Sequence, residues 1–254
     1  LLELYAEHPV PDPKLILRVN SSTSDSVWLE GVKSILRGSG SPLIINEEVV
    51  MPLMIQFGYQ KEDVWNFGTS ACWEPLIIGK SFDQNNAITN ITILDVLNNS
   101  LCKTDFNDFD SLLASVDSEI ANLIGHFDLN IEFDKSPLQS LFFDDCIVKG
   151  KDFSEGGAKY NYHGLLVVGL PNLINSLLNI KEYVFNKHLC SLDDCWNCIE
   201  RNFEGHEDLR LLFQQNPFKF GMANQDIIEL TNHIMDKISS AVAKRTMFGE
   251  KIKV

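Results

Sequence analysis

The chain has no apolar run approaching the roughly twenty residues that a membrane-spanning helix needs. Patches such as Leu166–Leu170 (Leu-Val-Val-Gly-Leu) are far too short, and the first residues do not read as a secretory signal. Positive charge is scarce. Lys and Arg total 21 against 35 Asp and Glu, a net charge of −14. No basic stripe is available to displace phosphate counterions, so a nucleic-acid partner is excluded, and an anionic membrane surface is disfavoured. Cysteine is too sparse for a disulfide scaffold: six in 254 residues that are 44% apolar, a chain long enough to fill a core without staples. The expected compartment is a reducing cytoplasm. Internal repeats and low-complexity tracts are absent. The six histidines are scattered, and none forms a recognisable triad with Ser and Asp.

Apolar periodicity supplies the elements. Leu15–Val19 and Leu43–Ile45 read as short buried strands, with Ser26–Arg37 between them at helical spacing and Gly38 as its stop. Helices are predicted over Glu47–Phe57, Glu62–Phe67, Ile91–Leu101, Asp105–Phe127, Leu173–Phe185, Leu192–Phe203 and Ile227–Ala243, and Tyr162–Leu170 reads as a strand. Helices alternating with short apolar strands make the fold class α/β.

Chemistry concentrates in Thr69-Ser70-Ala71-Cys72-Trp73-Glu74-Pro75. In an extended segment residues i and i+2 point the same way, so Cys72 and Glu74 are expected to face one pocket, with Trp73 in the packing behind. Pro75 donates no N–H, which argues against a regular interior strand through it. Taken alone, a cysteine beside a tryptophan is more often core than nucleophile. Other motifs are weaker. Gly156-Gly157-Ala158 lacks the Lys-Ser/Thr of a phosphate loop and reads as a tight turn. Cys195-Trp196-Asn197-Cys198 has metal-like spacing but sits in a helical pattern without a matching second pair. Asp144, Asp145 and Asp152 read as a solvated turn rather than a divalent-metal site, so no metal is expected.

The order of segments says more than any one of them. Pro13–Arg18, Gly38-Ser39-Gly40-Ser41-Pro42-Leu43 with Asn46-Glu47-Glu48, Gly58-Tyr59, Glu62-Asp63, Cys72-Trp73-Glu74-Pro75, Gly79-Lys80, Ser136-Pro137-Leu138 with Ser140, Asp144-Asp145-Cys146, Gly150-Lys151-Asp152 and Gly156–Asn161 follow one another. In that order they resemble the glycyl radical enzymes, the pyruvate formate-lyase-like family.

The resemblance implies a ten-stranded α/β barrel with many flanking helices, residues 1–254 supplying part of it. The barrel's N-terminal part and the C-terminal glycine radical domain are expected outside these residues, because the family's arginine-valine-x-glycine-tyrosine loop does not occur and Gly249 stands in Met247-Phe248-Gly249-Glu250 instead. It also implies that no cofactor is bound directly. A radical on a glycine outside the chain would be installed by an iron–sulfur, S-adenosylmethionine-dependent activating enzyme, and Cys72 would be the thiyl residue. Glu74 would serve as the base toward a substrate hydroxyl, a role that suits a partly buried carboxylate.

Formate lyases of the family carry two adjacent cysteines where this chain has Ala71 and Cys72. The Cys-x-Glu pattern is therefore closer to the dehydratases and lyases, which eliminate across C–O, C–N or C–S bonds. Ala71 and Trp73 depart from the family's Gly-Cys-Val-Glu, so the substrate is not carried over. Acyl transfer and a non-catalytic scaffold are the alternatives. Arg18, Asp83 and Tyr160 are weaker pocket candidates for a small-molecule substrate, and the expected partners are the activating enzyme and a second copy in a homodimer.

Overall fold

A computed structural model describes all residues except 11, 39, 71–73, 83–89, 104–105, 130–131, 248 and 254. In chain order the elements are α1 (Leu2–Glu7), β1 (Ile16–Val19), α2 (Asp25–Leu36), β2 (Leu43–Asn46), α3 (Glu47–Phe57), α4 (Lys61–Val64), β3 (Phe67–Thr69) and β4 (Pro75–Ile77). Next come β5 (Asn90–Thr92), α5 (Leu94–Leu101), α6 (Phe109–His126), α7 (Pro137–Ser140) and α8 (Asp144–Lys149). The rest of the chain supplies β6 (His163–Gly164), β7 (Leu166–Val168), α9 (Leu170–Asn179), α10 (Leu192–Glu200), α11 (Glu207–Gln214), α12 (Gln225–Val242), β8 (Thr246–Met247) and β9 (Glu250–Lys253). The described strands form four small sheets of two or three strands, and among the described residues no closed barrel is present. None of the described helices is long and apolar enough to cross a membrane.

The chain divides into two compact units. The first comprises residues 1–83 and 134–161. Its opening is a β–α–β unit: β1 and β2 pair in parallel, Ile16 opposite Leu43 and Val19 opposite Asn46, with α2 as the crossover. Gly31 of α2 lies so close to the strand layer that a Cβ there would stand 2.9 Å from Leu17 Cδ2. Asn46 ends β2 and starts α3, its side chain accepting the Glu48 N–H at 2.9 Å, the usual way of satisfying an orphan donor at a helix start. After α4, β3 and β4 make an antiparallel hairpin in which Thr69 faces Pro75.

The second unit comprises residues 84–133 and 162–254 and holds the larger apolar core. Its long helix α6 starts in a capping box, Asp108 Oδ1 accepting the Ser111 N–H at 2.8 Å. Leu112, Val116, Ile120 and Ile124 then follow at helical spacing, each fully buried with Leu173, Ile174 and Leu177 of α9 and Ile234 of α12 in one cluster. Each such side chain contributes about 1.5–3 kcal/mol by leaving water. Strands β5 and β7 pair in parallel, as do β6 and β9.

Several boundaries differ from the periodicity reading. The helix expected over Glu62–Phe67 stops at Val64, and Phe67 opens β3. Strand pairing with Pro75–Ile77 overrides the helical spacing there, and Gly68 lets Ile78 approach to 2.9 Å of where a Cβ would be. Ile91 and Thr92, both β-branched, lie in β5, so the helix begins only at Leu94. Tyr162–Leu170 breaks into β6 and β7, which serve different partner strands. Leu173–Phe185 changes from α9 to a π-helical stretch at Ile180–Asn186, and the Lys187 N–H reaches back five residues to the Glu182 carbonyl at 3.0 Å. Helices α1, α7, α8 and α11 lie outside the helices that the periodicity predicts.

Candidate active site

The hairpin β3–β4 carries the Thr69–Pro75 segment. Cys72 and Trp73 lie outside the described residues, as does Asp83, so the expected alternation of Cys72 and Glu74 has no geometry to report. The flanks are described. The Ser70 N–H donates to the Glu74 carbonyl at 3.0 Å, and the Ser70 hydroxyl donates to the Glu74 carboxylate, so one serine holds both the backbone and the side chain of Glu74. Pro75 starts β4 as its first residue, a position where its missing N–H is tolerated. Glu74 is half-buried.

Arg18 projects from β1. Its Nε donates to Glu47 Oε1 at 2.7 Å, and its Nη1 donates to the Trp65 and Phe67 carbonyls at 3.2 and 2.9 Å. Its guanidinium lies 3.9 Å from the centre of the Phe67 ring. Glu47 also accepts Asn20 Nδ2 at 2.9 Å. Arg18 thus ties β1 to the segment entering β3.

Tyr160 is buried, and its hydroxyl donates to Asp63 Oδ2 at 2.7 Å while accepting the Gln60 N–H at 3.0 Å. Asp63 accepts two further donors, Lys80 Nζ on Oδ1 and Lys159 Nζ on Oδ2, each at 2.6 Å. Burial pushes the Asp63 carboxyl up, but the bonds from Lys159, Lys80 and Tyr160 outweigh it and hold the group well below the usual carboxylate range.

The turn after α8 explains the glycines of the Gly156–Asn161 run. Gly156 closes a short 3-10 turn in the left-handed region at φ 82°. At Gly157 a Cβ would stand 2.3 Å from the Lys151 carbonyl oxygen and 2.8 Å from both the Asp152 carbonyl oxygen and Cys146 Sγ, so only glycine fits. Asp152 accepts Ser136 N–H, Ser140 Oγ, Ser154 N–H and Ser154 Oγ at 2.7–3.0 Å, and its carboxylate is thereby committed to the turn. Asp144 and Asp145 occupy the first turn of α8, and Asp145 pairs with Lys149 at 3.2 Å.

Cys195 and Cys198 are buried on α10. Burial pushes the Cys195 thiol up to about 12, with the neighbouring Cys190 and Cys198 adding to the shift. Among the described residues no group of three or more His, Cys, Asp and Glu is arranged to hold a metal ion.

Sequence reasoning named Glu74 but missed Ser70 as its holder, although the four-residue spacing of a hydroxyl and a carboxylate across a turn was a usable signal. The convergence on Asp63 was also missed. Its partners lie 17, 96 and 97 residues away, beyond any local pattern.

Residues 1–254 match the family model described as pyruvate formate lyase-like. Trans-4-hydroxy-L-proline dehydratase of Clostridioides difficile is 26% identical over 281 residues, covering 100% of this chain and 35% of that protein. (2S)-3-sulfopropanediol dehydratase of Klebsiella oxytoca is 27% identical over 236 residues, covering 84% of this chain and 29% of that protein. Among solved structures, the glycerol-bound B12-independent glycerol dehydratase from Clostridium butyricum superposes with a TM-score of 0.84 at 22% identity, covering 99% of this chain and 35% of that one. The chain therefore spans about a third of the length of these relatives. Matched from end to end by one family model and sharing that fold, the chain belongs to the pyruvate formate lyase-like family, the glycyl radical enzymes.

Proposed function

We propose that residues 1–254 supply the hydrogen-abstracting part of a glycyl radical lyase or dehydratase that eliminates a group from a small hydroxylated substrate. What carries this reading is the sequence Cys72-Trp73-Glu74 in the connection between β3 and β4, with Ser70 orienting the Glu74 carboxylate. Two relatives named as dehydratases support the elimination type over acyl transfer. Residues 1–254 form part of the family's barrel. The radical-bearing glycine, whose motif they lack, comes from outside them, and a separate S-adenosylmethionine-dependent enzyme activates it. The glycyl radical, when present, supplies the one-electron hole that removes the hydrogen atom from the Cys72 thiol.

The Cys72 sulfur then takes the hydrogen atom from the substrate carbon that bears the hydroxyl, forming S–H and leaving a carbon radical. Glu74 takes the hydroxyl proton as general base. The resulting ketyl expels the neighbouring group with its bonding electron pair, and the proton on Glu74 passes to that leaving group. Cys72 returns its hydrogen atom to the product radical. Substrate becomes a carbonyl compound plus water, amine or sulfite, with no net oxidant or reductant. Arg18 and Tyr160, whose polar atoms bond within the fold, are assigned to the frame of the site rather than to the substrate.

The test is a substrate panel on the activated full-length enzyme under anaerobic conditions, with vicinal diols, hydroxylated amino acids and hydroxysulfonates beside pyruvate and coenzyme A. Release of water, amine or sulfite is the expected result. Turnover of pyruvate and coenzyme A alone would sink the reading.

A further inference from the structure

Asp63 is almost wholly buried, at 6% exposure, in a helix of only four residues, yet three side chains converge on it. Lys159 reaches beyond it to Gln60 Oε1 at 2.6 Å, and the Tyr160 ring packs 4.9 Å from that of Tyr59. Backbone bonds reinforce the same junction. Ser81 and Tyr160 form a parallel bridge, the Tyr160 N–H donates to the Lys80 carbonyl at 3.0 Å, and the Phe82 N–H donates to the Tyr160 carbonyl at 2.8 Å. Three segments therefore meet at one carboxylate: Tyr59–Asp63 just before β3, Lys80–Phe82 just after β4, and Lys159–Tyr160 at the end of the glycine turn.

Taking a carboxylate and parts of two ammonium groups out of water is costly, and apolar residues of similar volume would often hold a fold together as well or better. What a fully bonded buried polar network supplies is one defined geometry. Here that geometry is imposed on both ends of the hairpin that bears Cys72 and Glu74. Proton and hydrogen-atom transfers depend on such placement, and a shift of about 1 Å can cost roughly a hundredfold in rate.

We propose that Asp63 is a positioning residue for the site: it binds the entry and exit of the β3–β4 hairpin and the Lys159–Tyr160 segment into one frame, and so sets where Glu74 presents its carboxylate. The proposal rests on the reading of Cys72 and Glu74 given above.

The test uses the full-length, activated enzyme with Asp63→Asn, which keeps the shape and removes the charge. Turnover per radical, measured against the electron paramagnetic resonance spin count, falls about 10–100-fold while KM changes by less than about threefold. In the unactivated protein, Cys72 is alkylated faster by iodoacetamide. Tyr160→Phe, which removes a single hydroxyl, gives the same pattern in milder form and keeps the test open if Asp63→Asn does not fold. A role in stability alone would lower the melting temperature and leave both turnover per radical and Cys72 alkylation unchanged, and that result overturns the proposal. Glu74→Gln separates the two failures. If Glu74→Gln is inactive while Asp63→Asn turns over normally, only the positioning role falls. If Glu74→Gln turns over at the wild-type rate, the site reading and the proposal fall together.

Discussion

Adding one methyl group to the turn at residue 157 should cost more than most single substitutions. In Gly157→Ala the new Cβ would stand 2.3 Å from the Lys151 carbonyl oxygen and 2.8 Å from the Asp152 carbonyl oxygen. Both obstacles are backbone, so neither can rotate aside as a flexible side chain would. Relief requires the turn to open by about 1 Å, taking ordinary carbon–oxygen contacts as roughly 3.3 Å or more. Opening strains the Gly157 N–H bond to the Asp152 carbonyl at 3.0 Å and the two bonds that the Ala158 carbonyl accepts from Lys149 Nζ and Asn161 Nδ2 at 3.0 and 2.9 Å.

Overpacking of this kind costs about 1–3 kcal/mol. A lost backbone hydrogen bond adds roughly 0.5–1.5 kcal/mol. The stiffer unfolded chain returns about 0.4–1 kcal/mol. The net loss is about 0.5–4 kcal/mol with a central value near 2, and urea denaturation of wild type and variant measures it. Gly125→Ala is the internal control, since Gly125 lies within α6 and a methyl group there would meet nothing within 4 Å, and it should stabilise by about 0.4–1 kcal/mol. Equal urea midpoints for Gly157→Ala and wild type would refute the reasoning, because the turn would then be free to yield.

Further outcomes follow from the core and from the charged groups. Ile120→Ala, fully buried in α6, should cost about 2–5 kcal/mol in the same denaturation experiment. Because the Asp63 carboxyl is held below its ordinary range, its contribution is complete above the unfolded value near 3.9 and is lost as pH falls through the lower folded value. The stability difference between wild type and Asp63→Asn should accordingly be flat from about pH 5 to 8 and shrink only in stronger acid, as acid-titrated melting curves would record. Arg18→Ala removes the charged partner of Glu47, which is 12% exposed and keeps, among the described residues, only its bond from Asn20, and should cost about 1.5–3 kcal/mol, read from melting temperature. With its thiol raised to about 12 and no exposed surface, Cys195 should resist iodoacetamide at pH 8 while exposed Cys102 reacts, as peptide mass spectrometry would show.

Local signals in the sequence suffice where one segment determines its own structure. The β1–α2–β2 unit follows from two apolar runs and a helical spacing between them, and the glycine turn follows from residues that only a tight backbone requires. Legibility ended where distant segments decide. Phe67 and Ile91 fit a helical spacing but pair as strands, because partners at Ile77 and Val167 compete for them. Nothing local to Tyr160 signals that Asp63, 97 residues earlier, accepts its hydroxyl. Glu74 stands in a motif that local spacing reveals, whereas Ser70, which holds it, carries no chemistry of its own to mark it.

The central claim is that Cys72 relays the hydrogen atom and Glu74 takes the proton. Cys72→Ser in the full-length enzyme tests it most directly, with the glycyl radical followed by electron paramagnetic resonance and product release followed in the same sample. The account predicts that the radical signal forms normally and elimination falls below detection. Elimination at or near the wild-type rate with serine at position 72 would contradict it.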